Sequence, residues 1–145
     1  MIKLKINRVM PVSTLSSLPA PLFESRVQAG FPSPGNDFSE GTLDLNTYLI
    51  KHKAATFFVR VTGDSMTGVG IFPDDILIVD RSLPPTSGRV IIAVLNGEMT
   101  VKRLKKRDNK VWLCSENEKY SPILISEDED FSIWGVVTNA IHPLP

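Results

Sequence analysis

The chain of 145 residues carries one cysteine, two histidines and no net charge, sixteen Lys and Arg offsetting sixteen Asp and Glu. A single thiol, Cys114, excludes an internal disulfide, and with His52 and His142 it falls short of the four Cys or His ligands of a structural zinc site, so no metal or cofactor is expected. One unpaired cysteine suits a reducing compartment, and a cytoplasmic location is the expectation. Zero net charge removes the long-range field that draws a protein to nucleic acid, so any DNA contact is expected to be indirect or to come from a local patch. No run approaches the ~20 apolar residues of a membrane span. Residues 1–10 alternate apolar and cationic side chains (Ile2, Lys3, Leu4, Lys5, Ile6) and lack the apolar core of a secretory signal, so no membrane association is expected. The length suits one domain rather than a two-domain enzyme.

What the sequence does have is 42% hydrophobic and 22% charged residues, the composition of a globular protein with one modest core. Five prolines (Pro11, Pro19, Pro21, Pro32, Pro34) fall within residues 1–35, where they disfavour regular helix and central strand. That segment is read as an extended N-terminal arm, with residues 36–145 as the globular domain. Asp37 followed by Glu40 has the form of a capping box, and Leu43, Leu45, Tyr48, Leu49 and Ile50 continue it into one short amphipathic helix over 38–51. From Thr56 onward the signals are β: 56–61, 75–80, 89–95, 99–104, 110–114 and 131–141 are rich in β-branched or aromatic residues and bounded by turn formers. Asn96-Gly97 reads as a primed two-residue hairpin turn. The predicted fold is mainly β, a curved and partly closed sheet. Phe57, Phe58, Trp112, Phe131 and Trp134 are expected in the core or a dimer interface, and Cys114 as a buried small apolar residue. The run Glu127 to Asp130 reads as a solvated turn.

Between two of these strands stands Gly63-Asp64-Ser65-Met66. A serine after a strand and a glycine turn can project from the sheet edge, with the amides of Ser65 and Met66 aimed at the same space, the geometry of an oxyanion hole. Equally, Ser65 can cap a short helix. A nucleophilic Ser65 requires a base, and with His52 at a helix end and His142 in a Pro-flanked tail, lysine is the remaining candidate. A free lysine has a pKa near 10.4, so a lysine base must be buried to hold an appreciable neutral fraction at pH 7. Lys102 interrupts the strand Met99 to Leu104 and shares a face with Thr100 and Leu104. It reads either as such a base or as a surface lysine continuous with Arg103, Lys105, Lys106, Arg107 and Lys110, a basic hairpin end able to touch a filament or DNA.

Taken together, Gly63-Asp64-Ser65-Met66, the turn Pro73-Asp74-Asp75 before Ile76 to Val79, and Lys102 after the Asn-Gly-Glu hairpin resemble the serine and lysine motifs of the LexA-like self-cleaving serine peptidases. Ala29-Gly30 in the arm is similar to their scissile Ala-Gly or Cys-Gly bond. Only 29 residues precede Gly30, and their prolines leave no room for the DNA-binding domain of the repressors, so the resemblance is to the UmuD-like branch. That resemblance implies a Ser65 nucleophile and a Lys102 general base cutting Ala29-Gly30, and a homodimer. It further implies stimulation by a RecA filament on single-stranded DNA, and a product that is the accessory subunit of a Y-family DNA polymerase in translesion synthesis, with no small-molecule ligand. Competing readings are a non-cleaving polymerase or filament accessory module, a phage- or plasmid-borne repressor-related fragment, and a signal-peptidase-like enzyme, which would need a membrane anchor.

Overall fold

The computed structural model describes residues 5–11, 19–23 and 39–145. Its ten strands are β1 (Lys5–Pro11), β2 (Pro19–Phe23), β3 (Ser39–Asp44), β4 (Thr56–Thr62), β5 (Ile76–Asp80), β6 (Val90–Leu95), β7 (Glu98–Arg107), β8 (Lys110–Cys114), β9 (Ile123–Leu124) and β10 (Phe131–Ile141), with one helix, α1 (Leu45–Leu49). They fall into two units, Ser13–Lys51 on one side and Met1–Val12 with His52–Pro145 on the other.

In the larger unit eight strands form one antiparallel sheet in the order β1-β4-β5-β10-β6-β7-β8-β9. A further pairing of Lys5 with Thr100 joins β1 to β7, so the sheet curves back on itself as a mainly β, partly closed fold. Val59 and Val61 of β4, Leu77 and Val79 of β5, Ile92 and Val101 form one core cluster with Met66 and Ile71 from the β4–β5 connection. Ile91, Ala93, Leu104, Leu113 and Val136 form a second. Neighbouring residues of β6 thus enter different clusters, which is why its sequence is continuously apolar rather than alternating. Each fully buried branched side chain contributes about 1.5–3 kcal/mol of transfer free energy. Trp134 packs against the first cluster and Phe131 against the second, both half-buried.

Both tight hairpins use the chemistry their twist requires. Asn96 and Gly97 have φ of 51° and 82°, and Asp108 and Asn109 have φ of 51° and 60°. Positive φ at both central residues is the primed turn whose twist matches the flanking strands.

Three expectations are corrected. The helix over 38–51 is only five residues long, because 39–44 is strand β3, paired with β2. The cap is Asp44, whose carboxylate accepts from Asn46 N–H at 3.1 Å and Thr47 Oγ at 3.2 Å, not the Asp37 and Glu40 box. Secondly, the segment 1–35 contains β1 and β2. Pro19 and Pro21 are two residues apart, so their missing donors lie on one edge of the two-stranded pair and leave the ladder to β3 intact. Thirdly, Cys114 is half-buried rather than buried, standing where β8 leaves the ladder. Among the described residues no helix is long and apolar enough to cross a membrane, and no group of three or more His, Cys, Asp or Glu is placed to hold a metal ion. Glu129 accepts from Ser126 N–H at 3.0 Å, closing the acidic run into a local turn.

Candidate active site

The connection from β4 to β5 is fixed at both ends and from below. Gly63 takes φ 91° and Gly70 φ 88°, conformations that turn the chain sharply out of β4 and back. Met66 is fully buried in the first core cluster and its carbonyl accepts from Val69 and Ile71, both at 3.2 Å. Further along, Asp75 is fully buried, and its carboxylate accepts from Phe72 N–H at 2.8 Å and lies 2.7 Å from His142 Nδ1. Ser65 therefore sits on a turn held by a core methionine and a buried aspartate, and is itself fully buried. It is not the cap of the short 3-10 turn Thr67–Val69, whose N-cap is Met66 and which has no side-chain cap bond.

Lys102 lies in β7 opposite Ile91 of β6. It is 2% exposed, so it is no surface lysine. Its Nζ donates to Ser115 Oγ at 2.7 Å and stands 5.6 Å from the centre of the Tyr120 ring. The basic run divides here: Lys102 is buried, Arg103 pairs with Glu116, and Lys105, Lys106, Arg107 and Lys110 are exposed.

A third segment, 115–120, is hydrogen-bonded to both candidates. Glu116 N–H donates to the Ser65 carbonyl at 2.8 Å, while Ser115, its neighbour, holds the Lys102 amine. Gly68 N–H donates to the Glu116 carbonyl at 2.7 Å. Asn117 Nδ2 donates to the Asp64 carbonyl at 2.8 Å, and the Asp64 carboxylate accepts from Tyr120 OH at 2.6 Å and Lys119 Nζ at 3.3 Å. The Tyr120 bond, helped by Lys119 and opposed by desolvation, holds the Asp64 carboxyl below its usual range, and the same bond raises the Tyr120 phenol. An open pocket of about 690 Å³ borders the junction, lined by Thr67, Gly68, Ser115 and the rest of 116–120. Ser115, Glu116, Asn117 and Tyr120 were not expected as site residues. Their only mark in the sequence is a run of side chains able to hydrogen-bond, where a strand ends without Gly or Pro.

Each histidine is engaged by a carboxylate. His52 Nδ1 lies 2.6 Å from Asp80 Oδ2, and Asp80 also accepts from Ser82 N–H and Oγ at 2.9 and 2.6 Å. Those hydroxyl and imidazole bonds outweigh desolvation and keep the Asp80 carboxyl below its usual range. Ala29 and Gly30 lie outside the described residues.

Comparison with known proteins identifies the family. The Peptidase S24-like family matches residues 21–138. The chain is 46% identical to the protein SamA of Salmonella typhimurium over 123 residues, 85% of each chain. It is 45% identical to ImpA of Escherichia coli over 84% of this chain and 83% of that one. It is 39% identical to MucA of Escherichia coli over 86% of each. A match of that extent establishes that the chain belongs to the Peptidase S24-like family, the serine peptidases of the LexA-like type.

Proposed function

We propose that the protein is a self-cleaving peptidase that cuts its own Ala29-Gly30 bond, with Ser65 as nucleophile and neutral Lys102 as general base. The observation that carries this reading is the setting of Lys102, a lysine 2% exposed whose amine is held by an uncharged hydroxyl on the residue next to the one that binds the Ser65 carbonyl. Burial penalises the ammonium and so favours the neutral amine that a base must be. Lys102 Nζ takes the proton from Ser65 Oγ as Oγ attacks the Ala29 carbonyl carbon, and the amides of Ser65 and Met66 hold the oxyanion. The ammonium then protonates the Gly30 nitrogen, the C–N bond breaks, and water with Lys102 as base hydrolyses the Ser65 ester.

On this reading the substrate is tethered, and docking of the arm sets the rate. Stimulation by a RecA filament on single-stranded DNA is the regulatory step, and the cleaved homodimer acts as accessory subunit of a Y-family polymerase after DNA damage. The UmuD-like resemblance, now joined by the similarity to SamA, ImpA and MucA, supports these steps. The test is intact mass after incubation at mildly alkaline pH, with and without RecA filament. Loss of residues 1–29 from the wild type, but not from Ser65→Ala or Lys102→Ala, is expected. A stable wild-type mass under both conditions points instead to a non-cleaving accessory module.

A further inference from the structure

We infer that the outward face of the β7–β8 hairpin binds single-stranded nucleic acid, seating one base against Trp112 and holding backbone phosphates on Lys105, Arg107 and Lys110. The inference does not depend on the Ser65 and Lys102 reading above.

Strand alternation gives the hairpin two unlike faces. Leu104 and Leu113 are register partners and both enter the second core cluster, with Val111 and Ile123 packed against it. The residues between them point the other way: Lys105 is the partner of Trp112, Arg107 of Lys110, and Trp112 in turn of Leu124 in β9. Such an outward face is ordinarily polar, yet Trp112 is half-buried without belonging to either core cluster, and Leu124 is 49% exposed. Trp112 lines a pocket of about 200 Å³ with Lys105, Arg107, Cys114 and Pro122, none of them acidic. Lys105, Arg107 and Lys110 are exposed. Of the neighbouring acids, Glu116 is paired with Arg103, and Asp108 meets Arg107 at 3.8 Å in a pair so exposed that a phosphate can replace it at little cost.

An aromatic side chain among cations suits an unpaired strand, whose bases stack on the ring while its phosphates follow the charges. Lys105 and Arg107 are two residues apart on one strand, about 7 Å, and Lys110 extends the positive strip toward the hairpin tip. A duplex offers phosphates but keeps its bases stacked, leaving the Trp112 pocket unfilled. A second copy of this chain docked symmetrically through the same face would set these three cations against the same three. A peptide strand added at the sheet edge would pair with β9, which is two residues long and offers few backbone partners. Zero net charge removes steering from a distance, not the contacts of such a patch.

The test is fluorescence anisotropy of the full chain with a labelled oligothymidylate about twelve nucleotides long, within the span of one such site. Affinity is expected to fall with salt at a log–log slope of about −2, the value for three phosphates of a single strand. Lys105→Gln and Arg107→Gln should each weaken binding and reduce that slope by about 0.7. Trp112→Leu, which keeps an apolar side chain but no ring, is expected to weaken binding about tenfold with the slope unchanged, and Trp112→Phe to restore most of the loss. A duplex of the same length should bind about tenfold more weakly than the single strand, because its bases cannot reach the ring. The glutamine variants change exposed side chains and keep their Tm, so with the duplex comparison they decide the matter even where Trp112→Leu does not fold. No binding at low salt, wild-type affinity in both glutamine variants or in folded Trp112→Leu, or equal affinity for the duplex overturns the inference. So does polyglutamate that displaces the oligonucleotide, which would mark the face as a site for acidic peptides.

Discussion

Gly68 allows the sharpest test of whether the 115–120 segment sets the catalytic geometry. A Cβ at this position falls 2.5 Å from the Glu116 carbonyl oxygen and 3.3 Å from its carbon, whereas ordinary contact begins at 3.4 Å. Both obstructing atoms are backbone, so no side chain can swing aside. Relief requires nearly 1 Å of separation, which takes the 2.7 Å bond from Gly68 N–H to that carbonyl beyond hydrogen-bonding range. The Glu116 N–H bond to the Ser65 carbonyl is strained by the same shift. Two hydrogen bonds at about 0.5–1.5 kcal/mol each give a loss of about 1–3 kcal/mol. Alanine recovers about 0.4–1 kcal/mol by stiffening the unfolded chain. The net cost is about 1–2 kcal/mol, a fall in Tm of about 3–8 °C for a domain of this size. Gly70→Ala is the matched control. Its Cβ meets nothing within 4 Å, yet its φ of 88° is left-handed, and the strain there costs about 1–2 kcal/mol for an L-residue. Calorimetry should find similar losses in the two variants. Their cleavage rates should differ: a displacement of about 1 Å at the groups that align a reaction can cost about a hundredfold, so Gly68→Ala is expected to be slower by that order and Gly70→Ala close to wild type. Equal cleavage rates in the two variants at equal stability would refute a catalytic role for the segment.

Lys102→Met is expected to abolish cleavage without loss of Tm, since a methionine of similar length fills a site 2% exposed without burying an amine; a large fall in Tm would mean that the amine holds the fold together. The two tyrosines, Tyr48 and Tyr120, permit a spectroscopic test. Tyr120 has its phenol raised above 10.0 by the bond to Asp64, so that contribution to stability is complete below 10.0 and lost as pH rises through the folded value, while Asp64, lowered from 3.8, contributes above 3.8 and loses it as pH falls through its own folded value. Near-ultraviolet titration should show a phenol titrating above the ordinary range that vanishes in Tyr120→Phe and moves down in Asp64→Asn, and an unchanged curve in Asp64→Asn would sink the assignment. Finally, cleavage at Ala29-Gly30 would sever β1, which pairs with β4 from Lys5 to Pro11, from the rest of the chain. Hydrogen exchange of the β4 amides facing β1 should therefore accelerate once the released fragment is separated from the product, and unchanged protection of β4 would show that the pairing contributes nothing.

The strands from β4 to β8 and β10 were legible because each is a short β-branched or aromatic run bounded by turn residues, and one of their hairpins carries Asn-Gly. What was not legible falls into two physical kinds. Some signals were outweighed: the prolines of residues 1–35 pointed to an arm rather than to β1 and β2. Asp37 and Glu40 imitate a capping box, while the pairing of 39–44 with a proline-bearing partner depends on which edge the prolines face. The second kind has no local signal at all. Residues 115–120 have no periodicity, and the bonds of Asn117 and Tyr120 to Asp64 span 53 and 56 positions.

Lys102 shows why a site can be half-readable. Strand alternation puts Lys102 and Arg103 on opposite faces, so two adjacent cations meet different surroundings whatever the net charge of the run. The β7–β8 ladder pairs Arg103 with Cys114 and ends there. Beyond it, the side chains of Lys102 and Arg103 bind the next two residues of the departing chain, Ser115 and Glu116. The cation that receives the carboxylate is the half-buried one, where an ion pair costs less to desolvate, and the buried cation receives the hydroxyl. Exchanging those two partners would place that ion pair in the interior, where it costs more to desolvate. The order Ser-Glu rather than Glu-Ser after β8 therefore gives the carboxylate to Arg103 and the hydroxyl to Lys102. Neither the serine motif nor the lysine motif contains that order.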